Sequence, residues 1–199
     1  MPVIGITGGI ATGKSAASAR LRELLPAAKF FDADHAAREL TARDVETQAL
    51  IRAAFGAAIY SAAGDLNRDR LRTIVFADPE KKVALEQILH PRIRRQWALE
   101  AQSRRDPTEL FFADIPLLYE TGGELLCDRV LVVACTRPVQ LRRLMARSSL
   151  SESAAVQMIS AQMPLNEKMA RADHIIWNND GPEALAAQAE ILARTFPAR

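Results

Sequence analysis

The chain of 199 residues is long enough to bury a substantial core, and its 49% hydrophobic content argues against disorder. No apolar run approaches the roughly 18–20 residues that cross a bilayer, and a net charge of +2 gives no strong general attraction to nucleic acid. No basic segment precedes an apolar stretch near Met1, so we expect no signal peptide. Cys135 lies inside an apolar run, so we expect a reduced thiol. Together these features predict a cytoplasmic protein.

The N-terminal segment predicts a binding site for phosphate groups. Val3–Thr7 is short, apolar and β-branched, as in a buried parallel strand, and the pattern after it predicts a helix from Ser15 to Leu25. The loop that joins them matches G-x-x-x-x-G-K-[ST], in which backbone N–H groups converge at a helix N-terminus, a lysine reaches the outer phosphates and a hydroxyl ligates Mg²⁺. We therefore expect ATP to be bound by Gly9, Ile10, Ala11, Thr12, Gly13, Lys14, Ser15 and Ala16.

Four further strand candidates follow, and helical patterns separate them. They are Ala28–Phe31, Leu110–Ala113, Val130–Cys135 and His174–Trp177. Strands that alternate with helices are typical of a parallel sheet with helices on both faces. The sequence thus predicts an α/β fold of the P-loop kinase type, a five-stranded parallel sheet in a single domain of residues 1–199.

Two helical insertions interrupt this alternation. The first, residues 35–105, suits a subdomain that binds the acceptor. Within it, Asp78 and Pro79 predict a helix start, and Pro91 is expected to break, kink or restart the helix. The second insertion, residues 137–170, contains three helical patterns and is predicted to be a lid.

Three aspartates lie at predicted strand ends, where open parallel sheets bind ligands. If the backbone stays extended, Asp32 and Asp34 point to opposite sides and differ in role. One would receive or orient an acceptor hydroxyl, and the other would hold Mg²⁺ through water or cap the following helix. Both could instead be caps for the helix that starts near His35. Asp114 is either an acidic residue near Mg²⁺ or a carboxylate that hydrogen-bonds the loop backbone.

The remaining polar candidates also leave alternatives open. Arg143 and Arg147 are four residues apart on one helix face, where they could close over a transferring phosphate or be solvated. His90, next to Pro91, is either a helix cap or a substrate contact. The histidines and cysteines form no metal-binding pattern.

Other classes of phosphate-loop protein fit less well than a small-molecule kinase. A regulatory GTPase needs the guanine-reading N-K-x-D, and the segment from Asn178 to Gly181 lacks its lysine. A motor or nucleic-acid ATPase usually needs a larger core or basic tracks. A core, an acceptor subdomain and a lid are sufficient for a small-molecule kinase, including the nucleoside monophosphate and shikimate types.

Ordered motifs make the chain resemble the dephospho-coenzyme A kinase family, from the first strand to beyond Asn179. They are Ile6-Thr7-Gly8-Gly9-Ile10, Gly13-Lys14-Ser15, Asp32-Ala33-Asp34, Leu89-His90-Pro91 with Ile93-Arg94, Pro116-Leu117-Leu118-Tyr119-Glu120, Gln140-Leu141-Arg142-Arg143 with Arg147, Gln162, and Ala172-Asp173 with Asn178. The phosphate loop alone identifies only a superfamily, whereas the order of the other motifs is specific.

The resemblance implies phosphorylation of the ribose 3′-hydroxyl of dephospho-coenzyme A by ATP and Mg²⁺, giving coenzyme A and ADP. Asp34 matches the aspartate proposed as base or hydroxyl-orienting group, and Arg147, with Arg143 beside it, matches a lid arginine near the phosphates. Lys14 completes the expected catalytic group. The further expected contacts are Asn178 and Asn179 with adenine, Asp34, His90, Leu117 and Leu118 with the acceptor, and Ser15, Asp32 and Asp114 with the metal. No nucleic-acid, membrane or obligate protein partner is expected.

Three residues depart from the family pattern. Ala11 replaces a common glycine, at a position that need not have a positive φ. Ala16 replaces a hydroxyl residue and removes one possible phosphate donor, a loss on the order of 1 kcal/mol. Ser148 replaces an aspartate that often follows the lid arginine, so pairing within the lid can differ.

Overall fold

A computed structural model describes residues 2–103 and 109–196. Within these residues, five strands form one sheet in the order β2-β3-β1-β4-β5. The strands are β1 (Val3–Gly8), β2 (Lys29–Asp32), β3 (Phe111–Asp114), β4 (Arg129–Ala134) and β5 (His174–Trp177). β1 pairs in parallel with β3 and β4, and β4 pairs in parallel with β5. The predicted α/β fold and parallel sheet are confirmed.

Helices connect the strands. They are α1 (Lys14–Leu24), α2 (Ala33–Arg43), α3 (Val45–Phe55), α4 (Arg68–Ala77), α5 (Pro79–Ser103), α6 (Arg137–Ser148), α7 (Glu152–Ser160), α8 (Leu165–Ala170) and α9 (Pro182–Thr195). Residues 104–108, which include the predicted end of the first insertion, lie outside the described residues. Nowhere in the described ranges is a helix both long and apolar enough to cross a membrane.

The sheet brings the carboxyl ends of its central strands together. β1 is buried along its whole length. Its residue Ile6 lies opposite Asp114 of β3, and Gly8 lies opposite Val133 of β4. Because ligands bind at the carboxyl edge of an open parallel sheet, the loop that follows β1 lies where a ligand site is expected.

The two faces of β1 pack differently. Ile4 and Ile6 belong to a buried cluster that includes Leu21 of α1 and Leu185 of α9, so these two helices cover one face. On the other face, a Cβ at Gly5 would lie 2.6 Å from the Leu118 side chain and 2.8 Å from the Cys127 sulfur. The segment after β3 therefore packs directly on the backbone of β1.

The chain divides into two compact units, one up to Phe31 and from Ala101 onward, and a second of Asp32–Glu100. The second unit has its own buried cluster of Ile51, Ile59, Tyr60 and Leu71. The Tyr60 hydroxyl donates to the carbonyl oxygen of Thr41 at 3.0 Å, which ties α2 to this cluster. The bounds of the unit are close to the predicted insertion 35–105, whose acceptor-binding role stays a prediction.

Helix α5 begins where predicted and continues through Pro91. The Asp78 carboxylate accepts hydrogen bonds from the N–H groups of Glu80 at 2.9 Å and Lys81 at 3.2 Å. Pro91 neither breaks nor restarts the helix, because losing one N–H donor can be tolerated when regular turns continue on both sides. His90 is thus interior to a helix, and its interpretation as a cap is wrong.

The region between β4 and β5 contains the three predicted helices, α6, α7 and α8. We call it the lid region, after its predicted role. Leu144, Ala155 and Ile159 form a small buried cluster between α6 and α7, and Ile10 and Ala11 of the loop pack against it. The lid region and the phosphate loop therefore share apolar contacts.

Candidate functional site

The loop between β1 and α1 contains two residues with left-handed backbone. Gly13 has φ of 95°, a conformation that glycine adopts without steric penalty. Ala11 has φ of 60°, so the expectation that this position needs no positive φ was wrong. The Ala11 backbone costs about 1–2 kcal/mol in this conformation, and the packing of its methyl group beside the lid cluster offsets part of that cost.

Side-chain donors take up the carbonyl groups of the loop. The pairs are Lys168 with Gly8 (3.3 Å), Thr12 with Gly9 (2.8 Å), Gln140 with Ile10 (2.8 Å) and Asn178 with Thr12 (2.9 Å). Within the described residues, the N–H groups of Gly13, Lys14 and Ser15 have no acceptor. Unpaired N–H groups at a helix N-terminus form a ready site for an anion.

Lys14 is held at the loop by a carboxylate from β3. Its ammonium forms a hydrogen-bonded ion pair with Asp114, which is 4% exposed. The other carboxylate oxygen of Asp114 accepts from the Ser18 hydroxyl at 2.6 Å. Asp114 thus bonds two side chains of α1, and the alternative in which it satisfies the loop backbone is wrong.

The turn after β5 is tied to the loop and to α6. Besides the Asn178 amide on Thr12, the Asn178 carbonyl oxygen accepts from the Arg143 guanidinium at 2.7 Å. The Asn179 side-chain oxygen accepts from the N–H of Thr136 at 2.8 Å. Both asparagines therefore position protein backbone, and their contact with adenine stays a prediction.

Two glutamines from the lid region hold the backbone of Ile10. Its N–H donates to the Gln162 side chain at 2.8 Å, and its carbonyl oxygen accepts from Gln140, which is 2% exposed. The sequence marked both glutamines only as members of ordered motifs. It gave no signal for Lys168, because one lysine in a short polar helix does not differ from a solvated lysine by pattern.

The paired aspartates belong to the second unit. Asp32 is the N-cap of α2, and its carboxylate accepts from the N–H of His35 at 2.9 Å. Asp34 is exposed in the first turn of α2, where the helix dipole favours a negative charge. The argument from an extended backbone is wrong, because the helix already begins at Ala33.

The leucines after β3 have different surroundings. Leu118 has no exposed surface and packs at Gly5, so it does not touch an acceptor that arrives from solution. Leu117 is half-buried and stays a predicted contact. The carbonyl oxygen of Pro116 accepts from the Thr7 hydroxyl at 2.9 Å, which fixes this turn on β1.

The two lid arginines differ in environment. Arg143 is half-buried and bonded to Asn178, whereas Arg147 is exposed, with no hydrogen bond or ion pair inside the described ranges. Ser148 and Ala16 are exposed as well. Of these two arginines, Arg147 is therefore the one whose side chain has room to reach a ligand.

The oxygen donors near the loop fit Mg²⁺ that arrives with a nucleotide. In the part of the chain that the structure describes, no group of three or more histidine, cysteine or acidic side chains could hold a metal ion. Mg²⁺ needs only one or two protein ligands when phosphates and water supply the others. The Ser15 hydroxyl at the start of α1 and the Asp114 carboxylate at the end of β3 are donors of that kind.

A cleft of about 620 Å³ opens beside the loop. Its lining includes Gly9, Thr136, Gln140, Gln162 and Trp177. Ile159 of α7 and Leu165 of α8 also line it, so it reaches the loop from the side of these two helices.

Comparisons with known proteins agree on one family. The family model described as dephospho-CoA kinase matches residues 2–183. The chain is 42% identical over 197 residues to the dephospho-CoA kinase of Geobacillus kaustophilus, covering 98% of this chain and 96% of that one. It is 44% identical to that of Anaeromyxobacter dehalogenans, with coverages of 96% and 90%. The solved structure of the dephospho-CoA kinase from Campylobacter jejuni superposes with a TM-score of 0.71 at 27% identity, with coverages of 96% and 95%.

Proposed function

Because this chain belongs to the dephospho-CoA kinase family, which performs the last step of coenzyme A synthesis, we propose that its phosphate loop binds ATP and that Asp34 receives the acceptor hydroxyl. The observation that carries the proposal is the set of unpaired N–H groups of Gly13, Lys14 and Ser15 beside the Lys14–Asp114 pair, all within the described residues. An anion site of this construction suits the phosphates of a nucleotide.

Lys14 is the proposed cation for the phosphates that react. Asp114 keeps its ammonium at the loop, so little side-chain freedom is lost when ATP binds. Lys14 then neutralises charge on the transferring phosphoryl group, whose transition state spreads charge over its outer oxygens.

Ser15 and Asp114 are the proposed ligands of Mg²⁺, with Asp32 as a candidate through water. When bound, Mg²⁺ neutralises charge on the outer phosphates. Asp114 would then serve both the metal and Lys14, because each of its carboxylate oxygens accepts one hydrogen bond, from Lys14 or from Ser18, and keeps a second lone pair for the metal.

Asp34 is the proposed group for the acceptor. A bond forms between the ribose 3′-oxygen and the γ-phosphorus while the bond to the ADP oxygen breaks, and the hydroxyl proton passes to Asp34. In a loose transition state this proton leaves late, so Asp34 acts mainly by orienting the hydroxyl. His90 and Leu117 are further proposed contacts of the acceptor, and Arg143 and Arg147 are proposed to stabilise the charge from the lid.

A coupled assay of ADP release tests the proposal, with dephospho-CoA, nucleoside monophosphates and shikimate as acceptors. We expect release with dephospho-CoA and only background release with the others. Preference for a nucleoside monophosphate or for shikimate would overturn the assignment of the acceptor.

A further inference from the structure

A buried cation that the proposed reaction does not use lies directly behind the phosphate loop. Lys168 of α8 has 0% exposed side-chain surface. Its ammonium lies 3.3 Å from the carbonyl oxygen of Gly8, 3.2 Å from that of Pro116 and 2.8 Å from a carboxylate oxygen of Glu120. An ammonium has three protons to donate, so these three acceptors match its capacity.

The two carbonyl groups belong to the two segments that carry the proposed ATP-binding residues, the phosphate loop and the end of β3 with the turn after it. Gly8 is the last residue of β1, where the phosphate loop starts, and Pro116 is two residues beyond Asp114. The paired register of β1 with β3 ends at Ile6 and Asp114, before either carbonyl is reached. Lys168 therefore joins the loop that carries Lys14 to the turn that follows Asp114, beyond the paired residues, where the Thr7 hydroxyl of β1 bonds the same Pro116 carbonyl.

Glu120 balances the buried charge and ties it to the lid region. The same carboxylate oxygen that pairs with Lys168 accepts from the N–H of Met163, between α7 and α8, at 3.0 Å. An apolar side chain of similar volume would pack there without the cost of burying a charge. What the ammonium adds is directed bonding to Gly8 and Pro116.

From this geometry we propose that Lys168 is a positioning residue for phosphoryl transfer. Together with the Thr7 hydroxyl, which holds Pro116 on β1, it fixes the spacing between the start of the phosphate loop and Asp114, and its bond to Gly8 helps to set where Lys14 and the loop N–H groups meet the phosphates of ATP. This inference rests on the proposed function of the loop. Lys168 itself touches no substrate, so its effect has to reach ATP through the backbone of Gly8.

The test is a double variant that combines Glu120→Gln with Lys168→Met. It removes the ammonium without leaving an unpaired carboxylate, and the amide oxygen introduced by Glu120→Gln can still accept from the N–H of Met163. Its matched control is Arg171→Met. Arg171 follows α8, pairs with Glu124 and covers the Tyr119 ring, and within the described residues it forms no bond to the loop or to Pro116. Isothermal titration with ADP, kcat and KM for each substrate, and thermal denaturation are measured for both proteins.

We expect the double variant to bind ADP about tenfold or more weakly and to show a matching rise in KM for ATP, with KM for dephospho-CoA within about twofold of the original protein. Arg171→Met is expected to lower the Tm and leave ADP affinity unchanged. A folded double variant with unchanged ADP affinity would overturn the inference, and so would an equal loss in Arg171→Met, since both results assign Lys168 to stability alone.

If the double variant does not fold, Lys168→Gln provides the second test, because its amide keeps donors without charge. We expect ADP binding between that of the original protein and about tenfold weaker, with KM for dephospho-CoA unchanged. Full ADP affinity in folded Lys168→Gln contradicts the inference. Failure of the unaltered protein to bind ADP would instead contradict the proposed function, so the two failures are distinguishable.

Discussion

Two aspartates at the start of α2 have separate structural positions, although only one residue lies between them. Asp32 is the N-cap, and its carboxylate accepts the His35 N–H. Asp34 is exposed one step inside the helix, where its charge is favoured by the dipole. Asp32 therefore caps the helix, and the exposure of Asp34 on its unit is consistent with its proposed role as the group that meets the acceptor.

Asp34→Asn keeps the size of the side chain but removes its charge and its ability to take the proton. We expect turnover to fall by about 10²-fold or more, the range of general-base contributions, with ADP affinity little changed. Steady-state kinetics and titration with ADP measure the two effects.

Asp32 provides the comparison. Asparagine caps helices as well as aspartate does, so Asp32→Asn should keep the Tm, whereas Asp32→Ala should lose about 1 kcal/mol of folding stability. If Asp32 also serves Mg²⁺, Asp32→Asn will need more Mg²⁺ for half-maximal activity. An active Asp34→Asn together with an inactive Asp32→Asn would exchange the two roles.

Gly13 is a second residue whose position permits a sharp prediction. Its φ is 95°, and a Cβ there would lie 2.0 Å from the Asn178 side-chain nitrogen. Gly13→Ala would therefore displace the amide that holds Thr12 and distort the loop. We expect loss of most ADP affinity and a drop in folding stability above the roughly 1–2 kcal/mol of left-handed strain.

Gly64→Ala is the matched control, because Gly64 has φ of 89° and nothing within 4 Å of its would-be Cβ. Gly64→Ala should lose only the folding stability that the left-handed backbone costs, and it should bind ADP with unchanged affinity. Equal stability losses in the two variants, with ADP binding kept in both, would show that the contact with Asn178 does not shape the loop.

At the scale of the element, the polar side chains of α6 have different surroundings along the helix. Gln140 and Arg143 bond to the loop and to the turn after β5, whereas Arg147 near the end of α6 is exposed. The last turn also ends at Ser149, which has φ of 50°. The first half of the helix is thus anchored beside the phosphate loop, and its far end carries the exposed Arg147.

Arg147→Ala should lower turnover more than it lowers acceptor binding, because the arginine contributes charge only when the lid has closed over the substrate. Arg142→Ala, an exposed arginine on the same helix, is the control and should retain turnover. The rate of ATP hydrolysis with and without acceptor gives the second measurement. Equal rates in the unaltered protein would show that closure is not coupled to the acceptor.

At the scale of the whole molecule, Cys135 is buried in the interior around the sheet, and Cys127 is half-buried with its sulfur beside Gly5 of β1. Burial raises the pKa of Cys127 to about 12, and burial also raises the pKa of Cys135. A raised pKa leaves less thiolate at neutral pH, and the thiolate is the nucleophile. We therefore expect low reactivity of both thiols, in addition to the reduced state expected of Cys135 from the sequence.

We predict that iodoacetamide at mildly alkaline pH modifies neither cysteine appreciably in the native protein and modifies both in urea. Because the pKa values of both thiols are raised, their rate of modification in the native protein should keep increasing with pH. For an ordinary thiol, with a pKa of about 8.5, that rate levels off at a lower pH. Mass spectrometry of the labelled peptides measures the extent at each site. Rapid labelling of either cysteine in the native state would contradict the packing described for it.

The sequence alone determined the local structure of this protein and its family. Periodicity placed the strands within one residue of their observed ends, since alternation and apolar runs report the burial of a segment directly. The phosphate loop could be recognised because its glycines, lysine and hydroxyl are close in sequence. The ordered motifs that identified the family could be recognised in the same way, because each of them is a short run of neighbouring residues.

Only the tertiary structure decided which groups meet at the site. Lys14 pairs with Asp114, which is 100 residues away in the sequence, and Lys168 bonds to Gly8, which is 160 residues away. Local patterns carry no information on such pairs, because they depend on the strand order and on which carbonyls lie beyond the paired strands. The left-handed backbone of Ala11 was missed for a related reason, because this residue packs against a cluster of the lid region that is distant in sequence.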